Sequence, residues 1–281
     1  MEKHFKLRGA TSPVLVDVRL ARGEVIVEPA LAGAVEVELT AHDAASQELA
    51  DAARVELHDG AAGQQLVVDV PDGRFDFVFN SRGITCRIRC PEGSNLAVQS
   101  KSAGVDVRGT IGRVDVRTAS GDVKLQDVSG DLTVNGASGA VNARDVAGNA
   151  NVETASGDVA LTSVHGTTTI KTASGAVRLD AADDDVTTNS ISGDQKLEAV
   201  MKGTVNVNGV SGSVRIGIRR GSRVHLDCQA VSGKTKSELE VSDEPGAGDG
   251  PQLEVRARTV SGDITIARAA APSQSQKKVY A

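Results

Sequence analysis

The sequence predicts an all-β fold: a two-sided parallel β-solenoid with 18-residue coils, capped by an N-terminal β region that contains one short helix. Three observations predict it. Glycine recurs every nine residues, at Gly112, Gly121, Gly130, Gly139, Gly148, Gly157, Gly166 and Gly175. Around alternate glycines the text nearly repeats, as T-A-S-G-D-V-K-L from Thr118, T-A-S-G-D-V-A-L from Thr154 and T-A-S-G-A-V-R-L from Thr172. The chain of 281 residues has no Trp, one Tyr and four Phe, so its core must be built from Val, Leu, Ile and Ala. Such side chains suit a flattened coil whose two sheets lie about 10 Å apart, a space too narrow for Trp.

A nine-residue period alone allows two architectures, a meander of hairpins or a coil of two arms. The eighteen-residue identity favours the coil, because a coil stacks like residues on like, rung upon rung. With the glycine numbered one, positions three, five and eight are apolar, as in Val123, Leu125 and Val128, or Leu132, Val134 and Ala137. Positions three and five form the inward face of a short strand. Position eight is expected to tuck a small apolar side chain into the turn, beside a glycine free to take positive φ. After Asp180 the register drifts: Asp184 stands where a glycine is expected, and the next steps run through Gly193, Gly203, Gly212 and Gly221. Right-handed winding is expected from the general preference of parallel crossovers.

Residues 1–100 read as an N-terminal β region. Val14, Val16, Val18 and Leu20 alternate, as do Val35, Val37 and Leu39, then Leu66, Val68 and Val70, then Phe75, Phe77 and Phe79. Alternation of period two marks half-buried strands. One helix is expected near 44–54, with Asp43 as N-cap. Residues 101–268 form the repeat region, with a flexible loop at 242–251, and 269–281 read as a disordered tail. The N-terminal region is expected to shield one open sheet edge and the irregular C-terminal segment the other.

The net charge of −6, with basic residues scattered, gives no phosphate-binding surface and argues against a nucleic-acid partner. No segment approaches the roughly 20 apolar residues that span a bilayer. The N-terminus lacks the apolar stretch of a signal peptide, which predicts a cytoplasmic protein and leaves an envelope role open. Cys86 and Cys90 share a strand face with Ile88 and read as buried thiols.

Several candidate sites can be weighed. The Asp that follows the glycine invites a calcium reading, but Asp122, Ala140, Asp158, Ala176 and Asp194 alternate, so carboxylates on that arm lie about 9.6 Å apart. Calcium needs converging oxygens. The Asp and Ser side chains are expected instead to satisfy turn amides. The outward positions of one arm, Thr133, Asn135, Asn151, Thr169, Lys171, Thr187, Asn189, Asn206 and Asn208, form a flat Thr/Asn-rich face that could recognise a partner. Of the histidines, only His165 sits in a repeat, where it takes the turn's Ser position. No Ser has a plausible His/Asp partner set, no acid cluster marks a cleft, and no cofactor or metal site is called for.

The repeated S-G-D-[VIL]-x-[LVI] units, the opening S-P-V-L-V-D-V-R-L-A-R-G-E-V-I-V and the terminal T-V-S-G-D-I-T-I together resemble the bacterial putative-adhesin family. These are β-solenoid domains of unknown function, related in pattern to repeat regions of cell-envelope stress proteins. The resemblance covers nearly the whole chain, implies a surface or envelope role and supplies no catalytic residues. The expectation is therefore a non-catalytic scaffold or protein-interaction module with an unknown protein partner. The alternative is a calcium- or glycan-binding adhesin-like protein.

Overall fold

The computed structural model describes residues 2–8, 13–30, 34–60, 63–72, 83–239 and 250–269. Phe75, Phe77 and Phe79, most of the 242–251 loop and residues 270–281 lie outside the described residues.

The N-terminal elements are β1 (Glu2–Arg8), β2 (Leu15–Leu20), β3 (Gly23–Pro29), β4 (Ala34–Ala41), α1 (Ala44–Ala52), β5 (Arg54–Gly60), β6 (Gly63–Asp69) and β7 (Ile84–Cys90). Two-armed coils follow: β8 (Asn95–Ser100) with β9 (Gly104–Ile111), and β10 (Val114–Thr118) with β11 (Val123–Val128). Next come β12 (Leu132–Ser138) with β13 (Val141–Val146), β14 (Ala150–Ser156) with β15 (Val159–Val164), and β16 (Thr168–Ser174) with β17 (Val177–Ala182). The last are β18 (Val186–Ser192) with β19 (Gln195–Val200), β20 (Gly203–Ser211) with β21 (Val214–Ile218), β22 (Arg223–Ser232) with β23 (Thr235–Ser237), and β24 (Gln252–Ser261) with β25 (Ile264–Arg268).

These strands form two sheets dominated by parallel pairing. Sheet I runs β1-β4-β7-β3-β9-β11-β13-β15-β17-β19-β21-β25-β23, and sheet II runs β22-β24-β20-β18-β16-β14-β12-β10-β8-β2-β6-β5. Val123 pairs with Val141 and Leu132 with Ala150, the eighteen-residue step read from the sequence. The step lengthens to nineteen where the glycines drift, as Val186 meets Val205.

At both ends the chain winds one coil out of order. The coil of β2 and β3 lies between that of β6 and β7 and that of β8 and β9. At the other end the coil of β24 and β25 lies between that of β20 and β21 and that of β22 and β23. The chain therefore tucks its first and last described coils inside the stack. Beyond β7, β4 and then β1 add to sheet I antiparallel, and β5 adds to β6 antiparallel in sheet II. Helix α1 links these two antiparallel additions, and its N-cap Asp43 accepts the Ser46 N–H at 2.7 Å. The helix buries Ser46 and Ala50.

One continuous core fills the space between the sheets, from Val14 to Ile266, built almost entirely of Val, Leu, Ile and Ala. Cys86, Ile88 and Cys90 all point into it. Burial pushes the Cys86 thiol up to about 12 and the Cys90 thiol up to about 11.

Candidate functional site

The outward side chains of sheet II form two rows that cross five strands. Thr133, Asn151, Thr169, Thr187 and Asn206 are register partners in one row. Asn135, Glu153, Lys171, Asn189 and Asn208 are partners in the other. Every residue of the Thr/Asn face read from the sequence lies in one of these rows. The second row is internally bonded: Lys171 Nζ donates to Glu153 Oε1 at 2.7 Å, and Asn208 Nδ2 donates to Asn189 Oδ1 at 3.0 Å.

A third row runs beside these two, along the corner where sheet II turns toward sheet I. It consists of Ala119, Ala137, Ala155, Ala173, Ile191, Val210, Val260 and Val231, all exposed. Toward the C-terminal end the row changes from Ala to branched aliphatics: Ile191 is 59% exposed, Val210 48%, Val260 49% and Val231 82%. Between this row and the Asn/Glu/Lys row lies a groove of about 870 Å³, floored by Gly136, Thr154, Thr172, Ser190 and Gly209.

This corrects the expectation that position eight tucks inward. On sheet I it does: Val128, Val146 and Val164 are buried. There the strand bends between positions five and eight, seen in the unpaired step between Leu125 and Asp127. On sheet II the pairing continues through positions five, six and seven and skips a step only at position eight itself, between Gly136 and Ser138. Positions three and eight are an odd number of residues apart, so strict alternation puts Ala137, Ala155 and Ala173 on the outer face. The signal that could have found this row was the parity of the spacing, together with the change to Ile191, Val210, Val231 and Val260 in the same S-G context.

The turn acids do satisfy turn amides, but those of the adjacent coil. Asp122 Oδ1 accepts the Ala140 N–H at 2.9 Å, and Asp194 Oδ1 accepts the Ser213 N–H at 2.8 Å. These bonds join neighbouring coils instead of closing a turn. On the other arm Asp131 Oδ1 accepts the Asn149 N–H at 3.0 Å and ion-pairs with Arg113. The backbone bond to Asn149, supported by Arg113, holds the Asp131 carboxyl below its usual range. A carboxylate already accepting an amide has less lone-pair capacity for a cation. Among the described residues, no group of three or more His, Cys, Asp or Glu side chains is arranged to hold a metal ion.

His165 lies on a sheet I corner and reaches two coils at once. Its Nδ1 is 2.7 Å from Asp183 Oδ2, and its Nε2 is 3.2 Å from Asp145 Oδ1. The bond to Asp183, with Asp145 adding to it, raises the imidazole above its ordinary value against the opposing effect of desolvation. Arg219 also approaches Asp183, at 3.4 Å. The cluster is a cross-coil ion pair on the opposite sheet from the groove.

No helix among the described residues is long and apolar enough to cross a membrane. Comparison with curated proteins finds no match. Among solved structures, a putative adhesin from Parabacteroides distasonis is similar over 94% of this chain and 96% of its own, at 13% identity and a TM-score of 0.47. A putative adhesin from Bacteroides fragilis is similar over 95% and 97%, at 11% identity and a TM-score of 0.41. A putative lipid binding protein from Parabacteroides distasonis is similar over 94% and 96%, at 16% identity and a TM-score of 0.43. The pattern of one domain family, Toastrack DUF4097, matches residues 17–267, nearly the whole stack of coils. The chain belongs to the Toastrack DUF4097 family.

Proposed function

We propose that this protein is a non-catalytic interaction module of the adhesin type, in which a rigid stack of coils presents the sheet II corner to a protein partner. The observation that carries this reading is the exposed row Ile191, Val210, Val260 and Val231 beside the groove. Successive rungs lie about 4.8 Å apart, so these side chains form one continuous apolar strip. A strip of this kind rimmed by polar groups is the usual mark of an interaction surface. Fully burying one Val or Ile side chain contributes about 1.5–3 kcal/mol, so a few anchors suffice for binding. Asn135, Glu153, Lys171, Asn189 and Asn208 supply a polar rim that can fix orientation.

Two further observations support a role without chemistry. The buried thiols of Cys86 and Cys90 are held protonated and are poor nucleophiles. The guanidinium groups of Arg108, Arg144 and Arg178 are held above their ordinary range by hydrogen bonds to the surface carboxylates of Asp106, Asp127 and Asp180.

The test is photo-crosslinking in the native cell, with a photoreactive residue at position 210. Specific adducts should form, and the paired substitution Ile191→Asp with Val260→Asp should abolish them. A matched probe at Lys124 on sheet I should give none. Adducts unchanged by the paired substitution would sink the reading. Substituting Thr169→Arg and Thr187→Arg then asks whether the outer Thr/Asn row takes part as well.

A further inference from the structure

The C-terminal end of the stack differs from its interior in a way that points to a partner. In β24 the inward residues Leu253, Val255 and Ala257 are fully buried. In β22, the next strand and the last of sheet II, the corresponding Val224, Leu226, Cys228 and Ala230 are only partly buried against the core. The strand is ten residues long and, among the described residues, bonds β24 along one side alone. Its other side offers a row of backbone N–H and C=O groups, which is a template for another strand. At the opposite end of the stack, Lys3 ties β1 to the end of α1 by bonding the Ala50 and Asp51 carbonyls, each at 3.3 Å. Lys3 also ion-pairs with Asp51 at 2.8 Å. That end carries a pinned helix; β22 has none against it among the described residues.

We propose that two copies of this chain join through their β22 strands, antiparallel about a two-fold axis at Leu226. The side-chain order of β22 is self-complementary in that register. Leu226 faces Leu226 of the second copy on the axis, and Val224 faces Cys228, so the half-exposed apolar row is covered on both sides. On the outer face His225 falls opposite Asp227, twice by symmetry, and Arg223 falls opposite Gln229. Cross-strand partners in an antiparallel pair lie about 4.5–5.5 Å apart, close enough for these contacts. An interface between identical strands about a two-fold axis closes on itself and yields a discrete dimer. Of the sheet II corner row only Val231 lies on the joining strand, and Ile191, Val210 and Val260 stay free, so the inference stands apart from the partner reading above.

Light scattering on the full chain across a concentration series should show the mass rising from 28.9 kDa to twice that value. His225→Asp, which sets a carboxylate against Asp227 of the second copy, should return the protein to monomer with its circular dichroism unchanged and its melting temperature no longer dependent on concentration. Asp227→His should do the same, although it also gives up the 3.5 Å ion pair to Arg258. The exchange His225→Asp with Asp227→His restores opposite groups and should restore the dimer. Leu226→Cys in a Cys228→Ser background should form an interchain disulfide, because the two Cα atoms lie within disulfide range. A mass of one chain at every concentration overturns the proposal. So does an interchain disulfide through native Cys228, which requires another register. Crosslinking between Leu226→Cys and Val55→Cys chains would instead place β22 against β5 in an open head-to-tail stack, and would also overturn it.

Discussion

The Asp158 carboxylate accepts the backbone N–H of Ala176 at 2.8 Å, across the gap between two coils. Asp122 does the same for Ala140, Asp194 for Ser213, and Asp263 for Lys234. Each acid reaches only the next coil, and its partner position carries no acid of its own. The alternation of Asp with Ala therefore joins coils in pairs. Accepting the amide is the essential act, since on the other arm the neutral Asn149 Oδ1 accepts the Thr167 N–H at 3.0 Å. Asp158→Ala should lower stability by about 1 kcal/mol, the net worth of one hydrogen bond. Asp158→Asn should be near neutral. Urea unfolding midpoints check both; an equal loss in the two variants would show that charge matters more than the accepting oxygen.

The recurring glycine answers a different need. A Cβ built on Gly175 would stand 2.3 Å from the Gly157 carbonyl oxygen, and Gly175 has a φ of +142°. The coils touch backbone to backbone at this corner, so a methyl group must push two coils apart. Gly175→Ala should cost at least about 2 kcal/mol, from strain and overlap together. Gly221 is the control: its φ is +90°, but nothing lies within 4 Å of the added Cβ. Gly221→Ala should cost only about 1–2 kcal/mol, the penalty for a left-handed residue. Thermal unfolding of the two variants separates crowding from φ.

This glycine ladder is why so much of the fold was legible in the sequence. A backbone contact that repeats every coil imposes the same residue every coil, and counting finds it. The outward Thr and Asn rows were legible for a similar reason, because inward positions three and five fix which residues face out. The apolar corner row escaped, since position eight buries Val146 on one arm and exposes Ala155 on the other, and only the local bend decides which. The winding of the ends escaped too. Val18 pairs with both Val68 and Val98, and Val205 with Val255, through steps that no repeat announces. Strand patterning records burial, and burial is the same whichever coil lies alongside.

The core holds a polar group that the repeat did not require. Thr188 is fully buried, and its neighbours in register are Ile170 and Val207. Its Oγ1 has no hydrogen-bond partner among the described residues. Leaving a buried hydroxyl unpaired costs about 1–3 kcal/mol, while an apolar group of the same shape loses nothing. Thr188→Val should therefore stabilise the protein by about 1 kcal/mol, read as a higher urea midpoint with an unchanged slope. Destabilisation would mean that the hydroxyl is satisfied in solution.

The cross-coil histidine gives the stack a dependence on pH. His165 is held between Asp183 and Asp145, and the bond to Asp183 is the main cause of its raised pKa. An imidazole whose folded value lies above its unfolded value of about 6.5 stabilises the fold fully below that unfolded value. The contribution fades as pH rises through the folded value, because the neutral ring can donate to only one of the two carboxylates. The group is partly open to water, with 40% of its side chain exposed, so solvent screening keeps the effect below about 1 kcal/mol. His165→Asn should lower the melting temperature at pH 5.5 and do so less at pH 8.5. High salt should shrink the difference between the two pH values. The same loss at both pH values would assign His165 a packing role in the corner and remove it as a source of pH dependence.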